Sequence, residues 1–182
     1  MSKTARLIRT RSQAKAFILK VGICGIFSND QGRMPCLWDV VDLPERQPGE
    51  KGWGQRVIAV WTWKDELPAL YPEQIFYGKI PNGLAVLMSL DHLWETHYPI
   101  AHRSLYECSP LARKIYALVS LEPMTSPELR REMAVTKGPA KTQFDKALLE
   151  LQATLNVVRR NSLKDARDTW VPFTEQHLPP VK

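Results

Sequence analysis

The sequence predicts a fold of the α+β class, in which N-terminal helices and a β-hairpin pack with a C-terminal helical module. Three observations lead to this prediction. Three segments of the C-terminal third begin with a proline in the first helical turn, and apolar residues recur in them at helical spacing. The residues that follow change to extended, β-branched runs on either side of a polar loop. Asn82-Gly83 separates two apolar runs, which is a strong hairpin signal.

Length and composition are those of a globular protein. The 182 residues are 44% hydrophobic and 24% charged, values that exclude wholesale disorder and fibrous architectures. The length allows two small domains, and we expect an N-terminal α+β region over residues 1–108 and a second domain over residues 109–182. No apolar run reaches the ~20 residues that a membrane span needs. We therefore expect no membrane association.

The N-terminal elements follow from periodicity and turn signals. Apolar residues at helical spacing predict helices over residues 11–27, 35–41 and 55–67. For the last of these the length of the apolar stretch favours a helix over a strand. Apolar runs over 75–80 and 84–90 flank the hairpin signal, and a further helix starts around Asp91.

Three helices in succession are predicted after residue 108. Ser109-Pro110 starts the first, which ends near Glu122-Pro123 because a proline disfavours helical geometry in the residue before it. Ser126-Pro127 starts the second, with the serine as its cap. The third follows Gly138-Pro139 and carries an inward apolar stripe: Ala140, Phe144, Ala147, Leu148 and Leu151. Extended runs at 155–160 and 169–173 then predict a second hairpin.

Three helices followed by a hairpin are the element order of a winged helix-turn-helix, whose third helix enters a DNA groove while the hairpin, or wing, contacts the backbone. The predicted nucleic-acid contacts are polar residues of these two elements: Lys137, Lys141, Thr142, Lys146, Arg159, Arg160, Lys164 and Arg167. DNA is accordingly the expected partner. Because a fold does not fix a function, the same module also suits protein contacts or a structural spacer.

Charge is distributed unevenly along the chain. Residues 1–30 carry six basic and one acidic side chains, residues 31–108 seven and ten, and residues 109–182 twelve and eight. Basic ends around an acidic middle favour binding of polyanions such as DNA or RNA. Carboxylates among the predicted contacts dilute the basic face and predict a modest affinity: Asp145, Glu150, Asp165 and Asp168.

Two segments resemble a known family. The run RSQAKAFILKVGICGIF resembles the opening helix of winged-helix DNA glycosylases of the YcaQ/AlkZ type, and VWTWKDELP is similar to their aromatic segment. The best-matched residues are Gln13, Ala14, Trp61, Lys64, Asp65 and Pro68. The shorter AlkZ-related group is the nearest resemblance. It implies a winged helix and a relation to DNA repair.

The resemblance stops at the catalytic motif. The family carries a glutamine, an apolar residue and then Gln, Asp or His just after the first helix, whereas Gln31 is followed here by Gly32 and Arg33. Cleavage of a glycosidic bond needs a group that orients a water and offsets charge on the sugar. Catalysis is therefore not expected, and only Asp65 and Gln31 stand as weak catalytic candidates.

Cofactors and metals are not expected. No phosphate loop, nucleophile elbow or HExxH motif is present. Histidines recur at five-residue spacing, which places them on different faces of a helix: His92, His97 and His102. The cysteines share no CxxC spacing and leave an odd count, which indicates reduced thiols and a cytoplasmic location: Cys24, Cys36 and Cys108.

Trp61 and Trp63 have two interpretations. Aromatic faces stack on unpaired or flipped bases, but tryptophans of a small domain are more often part of its core. The leading hypothesis is a DNA-binding protein that is related to winged-helix DNA glycosylases and lacks their catalysis. Two alternatives stay open: an active DNA glycosylase on alkylated or crosslinked bases, and a winged-helix module for protein interaction or transcriptional regulation.

Overall fold

The computed structural model describes residues 7–27, 34–165 and 167–179. Its helices and its small antiparallel sheets confirm the predicted α+β class. The chain divides into two compact units. The first unit comprises residues 1–77 and 85–93, and the second comprises residues 78–84 and 94–182.

The elements up to residue 92 mix helices with one three-stranded sheet. In chain order they are α1 (Arg11–Val21), β1 (Ile23–Gly25), α2 (Leu37–Val40), α3 (Gln55–Leu70), β2 (Ile75–Lys79), β3 (Ala85–Ser89) and α4 (Leu90–His92). The sheet has the strand order β1-β3-β2. β1 runs antiparallel to β3, with Cys24 opposite Leu87. The predicted hairpin at Asn82-Gly83 is confirmed, and the Asn82 side chain accepts a hydrogen bond from the Leu84 N–H at 2.9 Å.

The first helix is shorter than the sequence predicts. Thr10 and Gln13 form a reciprocal capping box at its start, but α1 ends at Val21 and not at Phe27. Gly22 follows with a φ of +78°, a conformation that ends a helix and favours glycine. A Cβ there would lie 3.0 Å from the His92 Nδ1. The apolar residues after it form β1, because they pair with β3.

The core of the first unit lies between α1, α3 and the sheet. Helix α3 confirms the helical interpretation of residues 55–67, since Val60 and Leu67 are fully buried and Trp63 is 8% exposed. Ala14 and Ile18 of α1 are fully buried in the same cluster. Apolar burial of this kind contributes about 1.5–3 kcal/mol for each large side chain.

The elements after residue 92 end in a second three-stranded sheet. In chain order they are a π-helix (Leu93–His97), α5 (Tyr98–Ala101), a 3-10 turn (Leu105–Glu107), α6 (Pro110–Val119), β4 (Met124–Thr125), α7 (Ser126–Glu132), α8 (Pro139–Ala153), β5 (Val157–Arg159), β6 (Thr169–Pro172) and α9 (Phe173–Gln176). The strand order of this second sheet is β4-β6-β5, and both strand pairs are antiparallel. Val158 lies opposite Val171, and Met124 lies opposite Trp170.

The helix starts of the second unit agree with the proline signals, with one shift. Ser109 caps α6 by accepting from the Ala112 N–H, and Pro139 opens α8. The cap of α7 is Thr125 and not the predicted Ser126. Thr125 is extended at the end of β4 and forms a capping box with Glu128, so the helix begins one residue earlier than the prediction placed it.

Helices α6, α7 and α8 enclose the core of the second unit. Phe144 and Leu151 of α8, Ile115 of α6 and Leu129 of α7 are fully buried. Trp170 of β6 closes this core and donates from Nε1 to the Ser126 Oγ at 2.8 Å. The three helices and the sheet are therefore held together by one apolar cluster.

A buried histidine lies at the end of the second unit. His177 is 3% exposed, and its ring centroid lies 5.3 Å from that of Phe173. Burial disfavours the charged imidazolium and lowers the pKa of His177 to about 4. The ring is therefore neutral in the folded protein at neutral pH.

This histidine predicts a loss of stability in mild acid. Between pH 6.5 and 4 the unfolded chain binds one proton more than the folded chain, so the free energy of unfolding falls as the pH falls, by about 1.4 kcal/mol per pH unit. Urea unfolding at pH 7 and pH 5 should show a loss about 2 kcal/mol larger in the wild type than in His177→Phe, which does not titrate. Equal losses in both proteins would contradict this assignment.

Candidate nucleic-acid interface

A groove of about 390 Å³ lies between α7 and the loop that joins β5 to β6. We call it the cationic groove, and its lining residues are Thr125, Pro127, Glu128, Arg131, Lys164, Asp165, Arg167 and Thr169. Three of these side chains are cationic and two are carboxylates. Arg131, Lys164 and Arg167 are exposed, so the groove presents positive charge to solvent.

The two carboxylates of the groove are already bonded to neighbouring groups. Glu128 accepts from the backbone N–H and the Oγ1 of Thr125, both at 2.7 Å, and these two hydrogen bonds lower the pKa of Glu128. Asp165 accepts from the Arg160 Nε at 2.9 Å and Nη2 at 2.8 Å, which lowers the pKa of Asp165. Both carboxylates are therefore charged at neutral pH.

The three cations of the groove are available to an incoming anion. In the part of the chain that the structure describes, no ion pair within 4 Å involves Arg131, Lys164 or Arg167. Arg131 and Arg167 each act on Glu128 only through the longer-range Coulomb interaction that helps to keep it charged. A phosphate that enters the groove can therefore contact these cations without breaking an ion pair of theirs.

Helix α8 exposes part of the predicted contact set. Thr142 and Lys146 are exposed on the side opposite the apolar stripe, and Lys137 is exposed just before the helix. Lys141 is also exposed, but its Nζ donates to Asp145 at 2.6 Å. Burial raises the pKa of Asp145, and hydrogen bonds from Lys141 and an arginine of α7 outweigh that effect, so the pKa is lowered on balance. Lys141 therefore lies beside a permanent counter-charge.

Of the two arginines at the end of β5, Arg160 faces solvent and Arg159 does not. Arg159 is 8% exposed, because its strand packs into the sheet, and its Nη1 donates to Asp168 at 3.3 Å. This corrects the sequence-based placement of Arg159 on the exposed wing. Arg160 is exposed, but one edge of its guanidinium donates from Nε and Nη2 to the two carboxylate oxygens of Asp165. Neither arginine offers an unneutralised charge to a ligand.

The sequence analysis missed the contribution of α7 to this surface. Arg131 lies three residues after Glu128, so both side chains are on the same face of the helix. The threonine and the glutamate at the start of α7 are a sequence-level capping signal, which marks where the helix begins. Leu129 and Met133 indicate its inward side, but which exposed residues lie beside the wing depends on tertiary contacts.

The first unit carries an apolar cavity of about 570 Å³. We call it the aromatic slot, and its lining residues are Phe27, Trp38, Trp53, Val57, Ile58, Trp61 and Thr62. Trp53 is 77% exposed and Trp61 is 56% exposed, which is unusual for rings of this size. The ring centroid of Phe27 lies 5.8 Å from that of Trp38 and 6.0 Å from that of Trp61.

The two tryptophans predicted to stack on a base have different surroundings. Trp61 lines the aromatic slot, whereas Trp63 is 8% exposed and packs in the core of the first unit. The structure therefore corrects the expectation for Trp63, because residues two apart on a helix point about 200° away from each other. Trp53, on the loop before α3, lines the slot together with Trp61.

The weak catalytic candidates do not meet at the slot. Asp65 accepts from the Lys64 Nζ at 2.6 Å, and Glu66 accepts from the Arg11 Nη1 at 2.8 Å. Neither carboxylate is among the residues that line the slot. Gln31 lies outside the described residues. Asp65 is one helical turn beyond Trp61 on the same side of α3.

Two further searches concern metals and membranes. Across residues 7–27, 34–165 and 167–179, no three or more His, Cys, Asp or Glu side chains come together in a way that could hold a metal ion. None of the described helices combines the length and the apolarity that crossing a bilayer requires.

Comparison with known proteins gives one match. The model of a family described as AlkZ related matches residues 8–170, which covers most of the chain and parts of both units. Searches of curated proteins and of solved structures gave no match.

Proposed function

Because the chain belongs to the AlkZ-related family, as the resemblance of its first and third helices predicted, we propose that it is a DNA-binding protein without the catalysis of DNA glycosylases. The observation that carries this proposal is the cationic groove, which Arg131, Lys164 and Arg167 line without an ion pair to any residue that the structure describes. Exposed lysine and arginine side chains bind the phosphates of nucleic acids.

The element order of the second unit supports a winged-helix mode of binding. Helices α6, α7 and α8 are followed by the antiparallel strands β5 and β6. In this mode α8 is the recognition helix and the β5–β6 loop is the wing. Thr142 and Lys146 of α8 contact the DNA groove, Lys137 contacts the backbone, and the cationic groove takes phosphates beside the wing.

The affinity of this interface is modest. Lys141 and Arg160 contact phosphate only in competition with Asp145 and Asp165, which already hold them. Five cations of this interface form no ion pair with the described residues: Arg131, Lys137, Lys146, Lys164 and Arg167. A duplex bound through about five phosphates has a log K against log salt slope near −4.5.

Fluorescence anisotropy with a labelled duplex tests the proposal across a series of KCl concentrations. The triple variant Arg131→Ala, Lys164→Ala, Arg167→Ala should weaken binding by about 10-fold or more at low salt and reduce the magnitude of the slope by about 2.7. The matched control is Arg113→Ala with Lys114→Ala, which removes exposed cations of α6 in the same unit and should leave the slope nearly unchanged.

Two outcomes would count against the proposal. A wild-type protein that does not bind duplex at low salt would exclude DNA binding and favour the protein-interaction alternative. Release of free base from alkylated or crosslinked duplex, lost in Asp65→Asn, would show that glycosylase catalysis is retained.

A further inference from the structure

We infer that the aromatic slot of the first unit binds one unpaired, uncharged nucleobase of a single-stranded nucleic acid. This inference goes beyond duplex binding by the second unit and does not rest on it. Trp53 and Trp61 expose their rings at the mouth of the slot, and Phe27 and Trp38 form its inner wall. A cavity of this size with flat apolar walls suits a planar ligand, and aromatic side chains stack on any base.

Two buried or nearly buried cations lie behind the rings of the slot. The Cζ of Arg56 lies 4.0 Å from the ring centroid of Trp38, and the Nζ of Lys64 lies 4.4 Å from that of Trp61. Arg56 is 1% exposed and Lys64 is 8% exposed. Neither side chain lines the slot. Each cation therefore occupies the ring face that is turned away from the cavity.

These two cations disfavour a positively charged ligand in the slot. A ring that already holds a cation on one face has its π-electron density drawn toward that face. A second cation on the opposite face meets a weaker quadrupole and the repulsion of the first charge. A neutral, electron-rich base meets neither penalty. The slot is therefore a poor cage for a quaternary ammonium and a poor site for a cationic, alkylated purine.

A second cavity, next to the slot, favours binding of the phosphate backbone of the nucleic acid. It measures about 530 Å³, shares Trp38, Trp53 and Val57 with the slot and adds the exposed Arg46. Glu45 also lines it, but that carboxylate is paired with Arg56. Arg56 and Lys64 are paired with Glu45 and Asp65, whereas Arg46 forms no ion pair among the described residues. A phosphate attached to the stacked base is thus attracted at the rim.

The test compares a labelled short oligothymidylate with a fully paired duplex, both measured by anisotropy at about 0.2 M KCl, where screening weakens exposed phosphate contacts. The double variant Trp53→Ala, Trp61→Ala should bind the oligothymidylate about 10- to 100-fold more weakly and the duplex within about twofold of the wild type. Trp53→Phe with Trp61→Phe should restore most of the affinity, since it keeps aromatic faces. Leu70→Ala, an exposed apolar change on the same helix, serves as the matched control.

Three results would overturn the inference. They are an unchanged affinity for oligothymidylate in the double alanine variant, an equal loss for oligothymidylate and duplex, and displacement of the oligothymidylate by tetramethylammonium chloride beyond that by KCl at equal ionic strength. The last result would identify a cation cage. A wild-type protein that binds oligothymidylate through the slot but does not bind duplex would support this inference while refuting the proposed function.

Discussion

Replacing Phe144 by alanine is expected to destabilise the second unit by about 3–5 kcal/mol. The ring is fully buried at the centre of the cluster that joins α6, α7 and α8. The Arg130 guanidinium also lies over it, with the Cζ 5.4 Å from the ring centroid. The truncation removes the transfer free energy of the ring and leaves a cavity around which the three packed helices relax only in part.

Native-state hydrogen exchange measures this effect within the affected unit. The most protected amides of α6 and α8 should exchange faster by a factor on the order of 10² to 10³ in Phe144→Ala. Gln143→Ala, at the exposed neighbouring position, should change protection by less than about threefold. A Phe144→Ala protein with near wild-type protection would mean that α8 does not anchor this core.

Replacing Arg56 by methionine is expected to destabilise the first unit by about 2–4 kcal/mol. Arg56 is 1% exposed, donates from Nε and Nη2 to the Trp38 carbonyl oxygen, and donates from Nη1 to Glu45. Methionine fills part of the volume but leaves the carbonyl oxygen of Trp38 without these donors. Because Glu45 is largely exposed, water replaces the lost partner on that side, and the cost stays below that of a fully buried ion pair.

Urea unfolding followed by circular dichroism, with hydrogen exchange of α1 and α3 to identify the unit, measures the change in Arg56→Met. The matched control is Arg46→Met, because this arginine lies on the loop before α3 in the same unit but is exposed, and its replacement should change stability by no more than about 0.5 kcal/mol. Equal stabilities for the two variants would contradict the structural role assigned to Arg56.

Local signals predicted much of the secondary structure. Proline in the first turn and a serine before it marked the start of α6, and Pro139 marked the start of α8. Asn82-Gly83 marked the first hairpin, because its backbone preferences select a tight turn. These signals depend only on neighbouring residues, so they can be detected without knowledge of tertiary contacts.

The features that the sequence did not predict depend on tertiary contacts. The end of α1 at Gly22 reflects pairing of the following residues with β3, which local periodicity does not contain. The burial of Arg159 depends on its pairing with a distant strand. The exposed Trp53 joins the slot only because its loop returns to α3. The sequence therefore predicted the kind of each candidate site and its region of the chain, but not all of the residues that line it.

The family relation was detectable in the sequence, since the resemblance on the first and third helices agrees with the family that matches residues 8–170. That resemblance rested on common residue types at a few positions. It could not show which cations carry counter-charges, because ion pairs such as Lys141 with Asp145 depend on side-chain geometry as well as on spacing.

Glu128 links the folding of α7 to the strength of the groove. The same negative charge that satisfies two donors of Thr125 at the helix start repels any phosphate that approaches Arg131. Because those hydrogen bonds keep the pKa of Glu128 low, ordinary acidification does not remove the repulsion. Removing this carboxylate would favour tighter binding of a polyanion, whereas a well-formed first turn of α7 requires the carboxylate. The chain therefore keeps the helix cap and binds a polyanion less tightly.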